Sequence, residues 1–142
     1  MHSRLRLEVF NLNYRPTNEL VGYVTLLNDS IKIKGTTMHE AFLKKGIGYH
    51  WMPALKIGRL AVDLKYQGIG VGSQIILFAI KIVERLNKYG TGCRFITVDA
   101  KRNESAEKLY KKMNFIITKE SKGNAPTPMF FDAIKFLKKE ST

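Results

Sequence analysis

The sequence predicts an α+β fold, in which helices flank a mixed and mostly antiparallel sheet. Segments near both ends of the chain alternate apolar and polar residues or are rich in β-branched residues, and their short connections favour antiparallel pairing. In the middle, a strand, a helix and another strand follow one another within residues 55–98. A strand, helix and strand of this length favour a right-handed parallel crossover, so we expect one parallel strand pair in the sheet.

The first third of the chain opens with three predicted strands. Alternation over residues 5–12 indicates a strand with a bulge at residues 10–11. Turn-forming residues at 15–18 and an apolar stretch over residues 20–27 predict a hairpin. Alternation resumes over residues 30–34, which predicts a third strand.

The next segment is predicted to hold a short helix and the first strand of the parallel pair. Thr37 and Glu40 have the spacing of a capping box, and Gly46 stands where the helix would stop. We therefore expect a loop over residues 46–53 and a strand over residues 55–62.

The remaining elements surround the clearest helix, over residues 73–88, whose apolar residues recur at helical spacing. A β-branched strand is predicted over residues 94–98, and two final strands over residues 115–117 and 129–136. Asn103 is placed to cap a second helix. The apolar stripe of that helix consists of Ala106, Leu109, Tyr110 and Met113.

Composition favours one folded domain over residues 1–142, which we expect in the cytoplasm. Apolar residues make up 44% of the chain, enough to bury a core. No secretory pattern opens the sequence, and no apolar run approaches the about 20 residues of a membrane span. Cys93 is the only cysteine, which excludes an internal disulfide, while His2, His39 and His50 lack metal-ligand spacing, so no metal site is expected.

The charge of the chain is strongly positive, with a formal value of +12 at pH 7. Such an excess favours phosphate-bearing ligands or nucleic acid without choosing between them. The lysine pairs at 44–45, 111–112 and 138–139 are either solvated faces or a surface for RNA or for cofactor phosphates.

A glycine-rich segment lies between the predicted strand over residues 55–62 and the long helix. Gly68, Gly70 and Gly72 leave backbone N–H groups open to an anion at a helix N-terminus, which predicts a phosphate or pyrophosphate site. A P-loop is excluded because no lysine separates Gly72 from Ser73, and the dinucleotide fingerprint lacks its third glycine. The pattern that fits is Gln-x-x-Gly-x-Gly, beginning at Gln67.

That pattern resembles the acetyl-CoA signature of the GNAT family of N-acetyltransferases. Two further blocks resemble the same family: residues 58–63 before the loop, and residues 98–115 with the pattern Asn-x-x-Ala-x-x-x-Tyr and a later Phe. The three blocks stand in the family's order and cover about residues 57–117. The resemblance implies a GNAT-like sheet whose central parallel strands splay apart, with the family's N-terminal helical part shortened in this chain.

The resemblance also assigns roles to residues around an acetyl-CoA cofactor. Backbone groups of Leu60, Ala61 and Val62 would pair with the pantetheine arm as an added strand does. Asn103 would contact the cofactor or cap its helix, Ala106 would leave room beside pantetheine, and Tyr110 would be the general acid. The pyrophosphate would be held by backbone N–H groups of Gln67, Gly68, Ile69, Gly70, Val71, Gly72 and Ser73.

The chemistry of acetyl transfer to an amine needs both an acid and a base. A phenol of pKa about 10 can protonate the departing thiolate, which suits Tyr110. The base is not identified by the sequence, and the candidates are Glu40, His39, His50, Asp99 and water.

Within the family, these motifs resemble a bacterial branch that includes acetyltransferase toxins, which acetylate aminoacyl-tRNA. The positive charge suits such a polyanionic acceptor, and the resemblance implies an antitoxin partner and a homodimer as further candidates, with no membrane. The alternative is a catalytically silent, basic nucleic-acid-binding or regulatory module on the same fold.

Overall fold

The computed structural model describes residues 7–140, so Leu5, in the first predicted strand, and His2 lie outside the described residues. A short 3-10 turn, Leu64–Tyr66, follows the third strand. The strands are β1 (Leu7–Tyr14), β2 (Glu19–Lys32), β3 (Trp51–Val62), β4 (Phe95–Ala100), β5 (Ile116–Ile117) and β6 (Thr127–Asp132). The helices are α1 (Thr37–Lys44), α2 (Val71–Lys88), α3 (Glu104–Lys112) and α4 (Ala133–Glu140).

The six strands form one sheet in the order β1-β2-β3-β4-β6-β5. All neighbours are antiparallel except β3 and β4, which are parallel and are connected through α2. The α+β class and the single central parallel pair are thus confirmed. Within the described residues the β1–β2 hairpin opens the sheet and no helix precedes it.

One face of the sheet packs against the helices to form the core. Val24, Leu26, Leu55 and Ile57 from β2 and β3 meet the buried stripe of α2, which includes Ile76 at 0% exposure. This stripe confirms the long amphipathic helix, although the helix begins at Val71 rather than at residue 73.

Truncation of a central core side chain tests this arrangement. Ile96 on β4 is fully buried in the core cluster, so Ile96→Ala removes apolar contacts and leaves a cavity. We expect the free energy of unfolding to fall by about 2–5 kcal/mol. Urea titration followed by circular dichroism measures this loss, and a change below about 1 kcal/mol would show that the site lies outside the core.

Two predicted elements at the start of the chain differ from the structure. The stretches 20–27 and 30–34 belong to one strand, because residues 28–30 pair with β3 and the Asp29 carboxylate accepts a hydrogen bond from Thr97 Oγ1 at 2.7 Å. The bulge in β1 lies between Leu12 and Asn13 rather than at residues 10–11. The first difference arises from pairing with β3, and the second lies in the pairing of β1 with its hairpin partner β2.

The short helix and the last strand also need correction. Thr36, not Thr37, caps α1, since its hydroxyl accepts from the His39 N–H at 3.2 Å. Strand β3 begins at Trp51, inside the predicted loop. The predicted strand over residues 129–136 stops at Asp132, whose carboxylate accepts the Lys135 N–H at 3.1 Å and so starts helix α4.

Candidate functional site

The two parallel strands separate towards their carboxyl ends. Residues 54–57 of β3 pair with residues 95–98 of β4, and β3 then continues to Val62 without a partner on that side. At the point of separation the β2–β3 register shifts, which leaves Gly58 as an extra residue in β3. A Cβ on Gly58 would lie 2.8 Å from Thr25 Oγ1, so the bulge depends on glycine.

The separation opens a cleft of about 820 Å³ between β3, the glycine loop, α3 and the end of β4. The cleft contains every residue predicted to hold the cofactor or to act as the general acid except Ile69, whose side chain is exposed to solvent. Those that line it are Leu60, Ala61, Val62, Gln67, Gly68, Gly70, Val71, Gly72, Ser73, Asn103, Ala106 and Tyr110.

The glycine loop presents backbone donors at the start of α2. Gly68 and Gly70 have φ values of +80° and +90°, a left-handed conformation that L side chains rarely adopt. Within residues 7–140, no backbone carbonyl accepts from the N–H groups of residues 68–73, whereas the Gln67 N–H donates to Leu64 and the Gln74 N–H to Gly70. These N–H donors lie at the N-terminus of α2, which is the positive end of the helix dipole, and this arrangement suits an anion.

Contacts that are distant in sequence hold this loop in place. The Glu19 carboxylate at the start of β2 accepts from the Tyr66 hydroxyl at 2.8 Å and from Lys65 Nζ at 3.4 Å. The hydrogen bond from Tyr66, and then Lys65, lower the pKa of Glu19 below its usual value. The contribution of this carboxylate to stability is therefore complete above the usual pKa of Glu and is lost as pH falls through the lowered pKa. Gln67 adds a local link, since its side-chain amide donates to the Val62 carbonyl at 2.9 Å.

Close packing joins the start of α2 to α3. A Cβ on Gly72 would lie 3.0 Å from Leu109 Cδ2, so glycine lets the two helices approach. Asn103 caps α3, with its Oδ1 accepting the Ala106 N–H at 2.8 Å. Of the two roles left open for Asn103, capping is therefore present, and Asn103 also lines the cleft.

Tyr110 lies on α3 with its ring in the core and its side chain lining the cleft. The ring packs edge-on to Phe115 with the centroids 5.2 Å apart. Burial raises the pKa of Tyr110 to about 12, so the phenol carries its proton at neutral pH. A protonated hydroxyl at this point can donate to a negatively charged sulfur or oxygen atom.

The candidate bases lie in two different places. Asp99 lines the cleft and forms an ion pair with Lys56 Nζ at 2.9 Å. The hydrogen bond with Asp99 raises the pKa of Lys56, which keeps the ammonium charged. Glu40, His39 and His50 do not line the cleft, and the two histidine rings pack together 5.3 Å apart beside α1.

Three lysines also line the cleft, of which only Lys112 is among the lysines that the sequence marks as a candidate surface for phosphates. Lys101 follows β4, and Lys108 and Lys112 are four residues apart on α3. The spacing of Lys108 and Lys112 was a usable signal that both side chains belong to one surface, because residues four apart share one face of a helix. They give the cleft wall a positive charge beside the glycine loop.

Metal-ligand clusters and membrane-spanning helices are both absent from the part of the chain that the structure describes, residues 7–140. In that part of the chain no group of three or more His, Cys, Asp or Glu side chains could hold a metal ion. Among the helices described there, none has the length and apolar character required to cross a membrane. The site consequently consists of backbone donors, lysines, Tyr110 and Asp99.

Comparison with known proteins gives matches along most of the chain. A family model described as acetyltransferase (GNAT) domain matches residues 9–117. The structure of AtaT complexed with acetyl-methionyl-tRNAfMet is 26% identical, with a TM-score of 0.79, and the match covers 99% of this chain and 79% of that one. AtaTR bound with acetyl-CoA is 26% identical (TM-score 0.70; 99% and 78% covered). A tyrosine-to-phenylalanine mutant of KacT is 24% identical (TM-score 0.76; 96% and 77% covered), which bears on the fold alone.

Proposed function

The chain belongs to the GNAT acetyltransferase domain family, and from this premise we propose that it acetylates the amino group of an aminoacyl-tRNA. As a member of this family it is an N-acetyltransferase that uses acetyl-CoA. The observation that carries the proposal is the splayed cleft, which combines an anion-binding loop with Tyr110 and Asp99. The similarity to AtaT, whose structure contains acetyl-methionyl-tRNAfMet, supports the choice of acceptor.

The residues in the cleft fit acetyl-CoA, which supplies the activated acetyl group as a thioester. The N–H groups of residues 68–73 suit its pyrophosphate. Residues 60–62 are bonded to β2 on one side and are unpaired on the β4 side, so they can pair with an extended pantetheine arm. Lys101, Lys108 and Lys112 add positive charge for its phosphates.

Tyr110 and Asp99 would handle the two protons of the transfer. The Tyr110 hydroxyl, which carries its proton at neutral pH, would donate that proton at the sulfur atom as the C–S bond breaks. Asp99 is the candidate base that lines the cleft, and its carboxylate accepts the proton that the attacking amine loses. Lys56 holds this carboxylate in position through the 2.9 Å ion pair.

Asp99→Asn tests the assignment of the base. An amide cannot accept the amine proton, so we expect kcat to fall by about 10²-fold or more, within the range of general base catalysis. Asp99→Glu should retain part of the rate, and the dissociation constant for acetyl-CoA should stay unchanged in both variants. A wild-type kcat in Asp99→Asn would assign the proton to water.

The acceptor is tested by incubating the protein with labelled acetyl-CoA and aminoacyl-tRNA. We expect label on the amino acid of the charged tRNA and none on the same tRNA after deacylation. Label on total protein or on polyamines instead would overturn the choice of acceptor. RNA binding without transfer to any amine would favour the alternative, a silent nucleic-acid-binding module.

From the same similarity to AtaT we also propose the binding partners of this protein and its location. AtaT forms a complex with the antitoxin AtaR, and a corresponding antitoxin and a homodimer are the partners that we propose here. We also propose that residues 1–142 act as one acetyltransferase-like domain in the cytoplasm, where aminoacyl-tRNA is used.

A further inference from the structure

The segment from the end of β2 to the start of β3 folds into a compact lobe, residues 32–51. The Ile33 N–H donates to the His50 carbonyl at 2.8 Å, which joins the two ends of the lobe. The Ile47 N–H donates to the Phe42 carbonyl at 2.8 Å and closes the end of α1. These bonds give the backbone of the lobe a defined shape.

The lobe exposes large rings to solvent. Tyr49 is 71% exposed and Trp51, the only tryptophan in the sequence, is 55% exposed. Leu43 and Ile47 of the same lobe are 52% and 36% exposed. Two exposed aromatic rings within three residues, flanked by apolar side chains, are typical of a binding surface.

The charge of the lobe is positive around those rings. Its four lysines are all exposed, and Glu40 is its only acidic residue. Lys32 is the cross-strand neighbour of Trp51 in the β2–β3 ladder, which brings one of these charges next to the ring. The lysines are Lys32, Lys34, Lys44 and Lys45.

Exposed aromatic rings and lysines on the same lobe match the two chemistries of a single-stranded nucleic acid. Bases stack on aromatic faces, and phosphates are attracted to ammonium groups. An acidic peptide would satisfy the lysines, but it stacks on Tyr49 and Trp51 only where it carries suitable side chains, whereas every nucleotide of an RNA supplies a base that can stack. The combination therefore favours unpaired RNA as the occupant.

Strand β3 connects this lobe to the cleft. It begins at Trp51, and its pairing with β4 ends at Ile57. At about 3.3 Å per residue, about 20 Å of strand separates the two points. A few unpaired nucleotides can span such a distance, so RNA bound at the lobe can bring its end to the cleft.

We propose that the 32–51 lobe binds the unpaired segment at the 3′ end of the acceptor RNA. Bases of that segment stack on Tyr49 and Trp51, and its phosphates lie against the four lysines. This inference rests on the proposed function, because the acetylated amino acid is attached to that end of a tRNA.

RNA binding by the full chain tests the lobe without acetyl transfer. The probe is a fluorescent single-stranded RNA with the sequence of a tRNA 3′ end, and anisotropy gives its dissociation constant. The variant Tyr49→Ala with Trp51→Ala should weaken binding about tenfold or more, since stacking contributes strongly for each base. RNA binding weakens as salt rises, and Lys44→Gln with Lys45→Gln should make this dependence less steep. The plot of log association constant against log salt concentration should have a slope that is smaller in magnitude by about 1.4.

A matched control separates local from general charge effects. Lys119→Gln with Lys122→Gln removes two exposed lysines outside the lobe, and we expect it to bind RNA more tightly than the Lys44–Lys45 variant. All three variants should bind acetyl-CoA like the wild type, which shows that the fold and the cleft are intact.

Several results would overturn the inference. Wild-type RNA affinity in the aromatic variant would do so, as would equal losses in the two lysine variants, or a lobe that binds acidic peptide in preference to the RNA. Failure of the proposed function is seen separately, because it would leave aminoacyl-tRNA unlabelled by the wild-type protein while RNA binding at the lobe persists.

Discussion

Tyr110→Phe lowers kcat by about 10²–10⁴-fold and leaves the dissociation constant for acetyl-CoA unchanged. The substitution removes only the hydroxyl group, and the ring can keep its contact with Phe115. The expected loss therefore reports proton donation at the cleft rather than packing. Steady-state release of free thiol gives kcat, and isothermal titration gives the affinity for acetyl-CoA.

Two controls strengthen the test of Tyr110. Tyr89→Phe changes a tyrosine that is 75% exposed at the end of α2 and should have wild-type kcat. Because burial raises the pKa of Tyr110 to about 12, this phenol should cause no fall in kcat between pH 7 and pH 10. A wild-type rate in Tyr110→Phe would remove Tyr110 from the reaction.

The pKa of Tyr110 also predicts how stability depends on pH. Its value in the folded state lies above the about 10 of an unfolded chain, so the contribution of the neutral phenol is complete below that pH. It is lost as pH rises towards 12, because the unfolded chain then releases the proton first. Unfolding of wild type and Tyr110→Phe between pH 9 and pH 11 should show the steeper decline in the wild type.

Gly70→Glu abolishes measurable binding of acetyl-CoA. Gly70 is the residue before α2 and has a φ of +90°, which a glutamate adopts only with strain. The new carboxylate would also lie beside the backbone donors of residues 68–73 and repel a pyrophosphate. Strain and charge act in the same direction, so the effect is large.

Gly92→Glu is the matched control for this change. It adds the same charge at a glycine with no neighbouring atom within 4 Å of an added Cβ and with no positive φ. Titration with acetyl-CoA should give wild-type affinity for Gly92→Glu and no heat of binding for Gly70→Glu. Comparable affinities in the two variants would place the pyrophosphate away from the loop.

Local signals account for the parts of the site that the sequence predicted. The glycine spacing at residues 68–72 and the polar side chain of Asn103 act within a few residues of the helices that they start. The apolar stripe of α2 likewise depends on helical periodicity alone. Such features are readable because their physical cause lies in adjacent residues.

Two elements were mispredicted, one because distant residues decide it and the other because a local pattern was assigned wrongly. Residues 28–30 look like a turn, but pairing with β3 and the bond from Thr97 to Asp29 keep them in β2. The helical spacing of Ala133, Phe136 and Leu137 was available, yet the predicted strand ran past Asp132 into α4. In that case the periodicity was assigned wrongly, since Asp132 is a typical N-cap.

The sequence by itself determined the α+β class, the glycine loop, the capped helix α3 and the acetyltransferase resemblance, because each depends on short-range pattern. Only the tertiary structure decided which residues meet in the cleft. It brought Asp99 to Lys56, tied Glu19 to Tyr66, and left Glu40, His39 and His50 away from the cleft. These pairings depend on strand register and on the divergence of β3 from β4, and both are set by contacts between segments far apart in the chain.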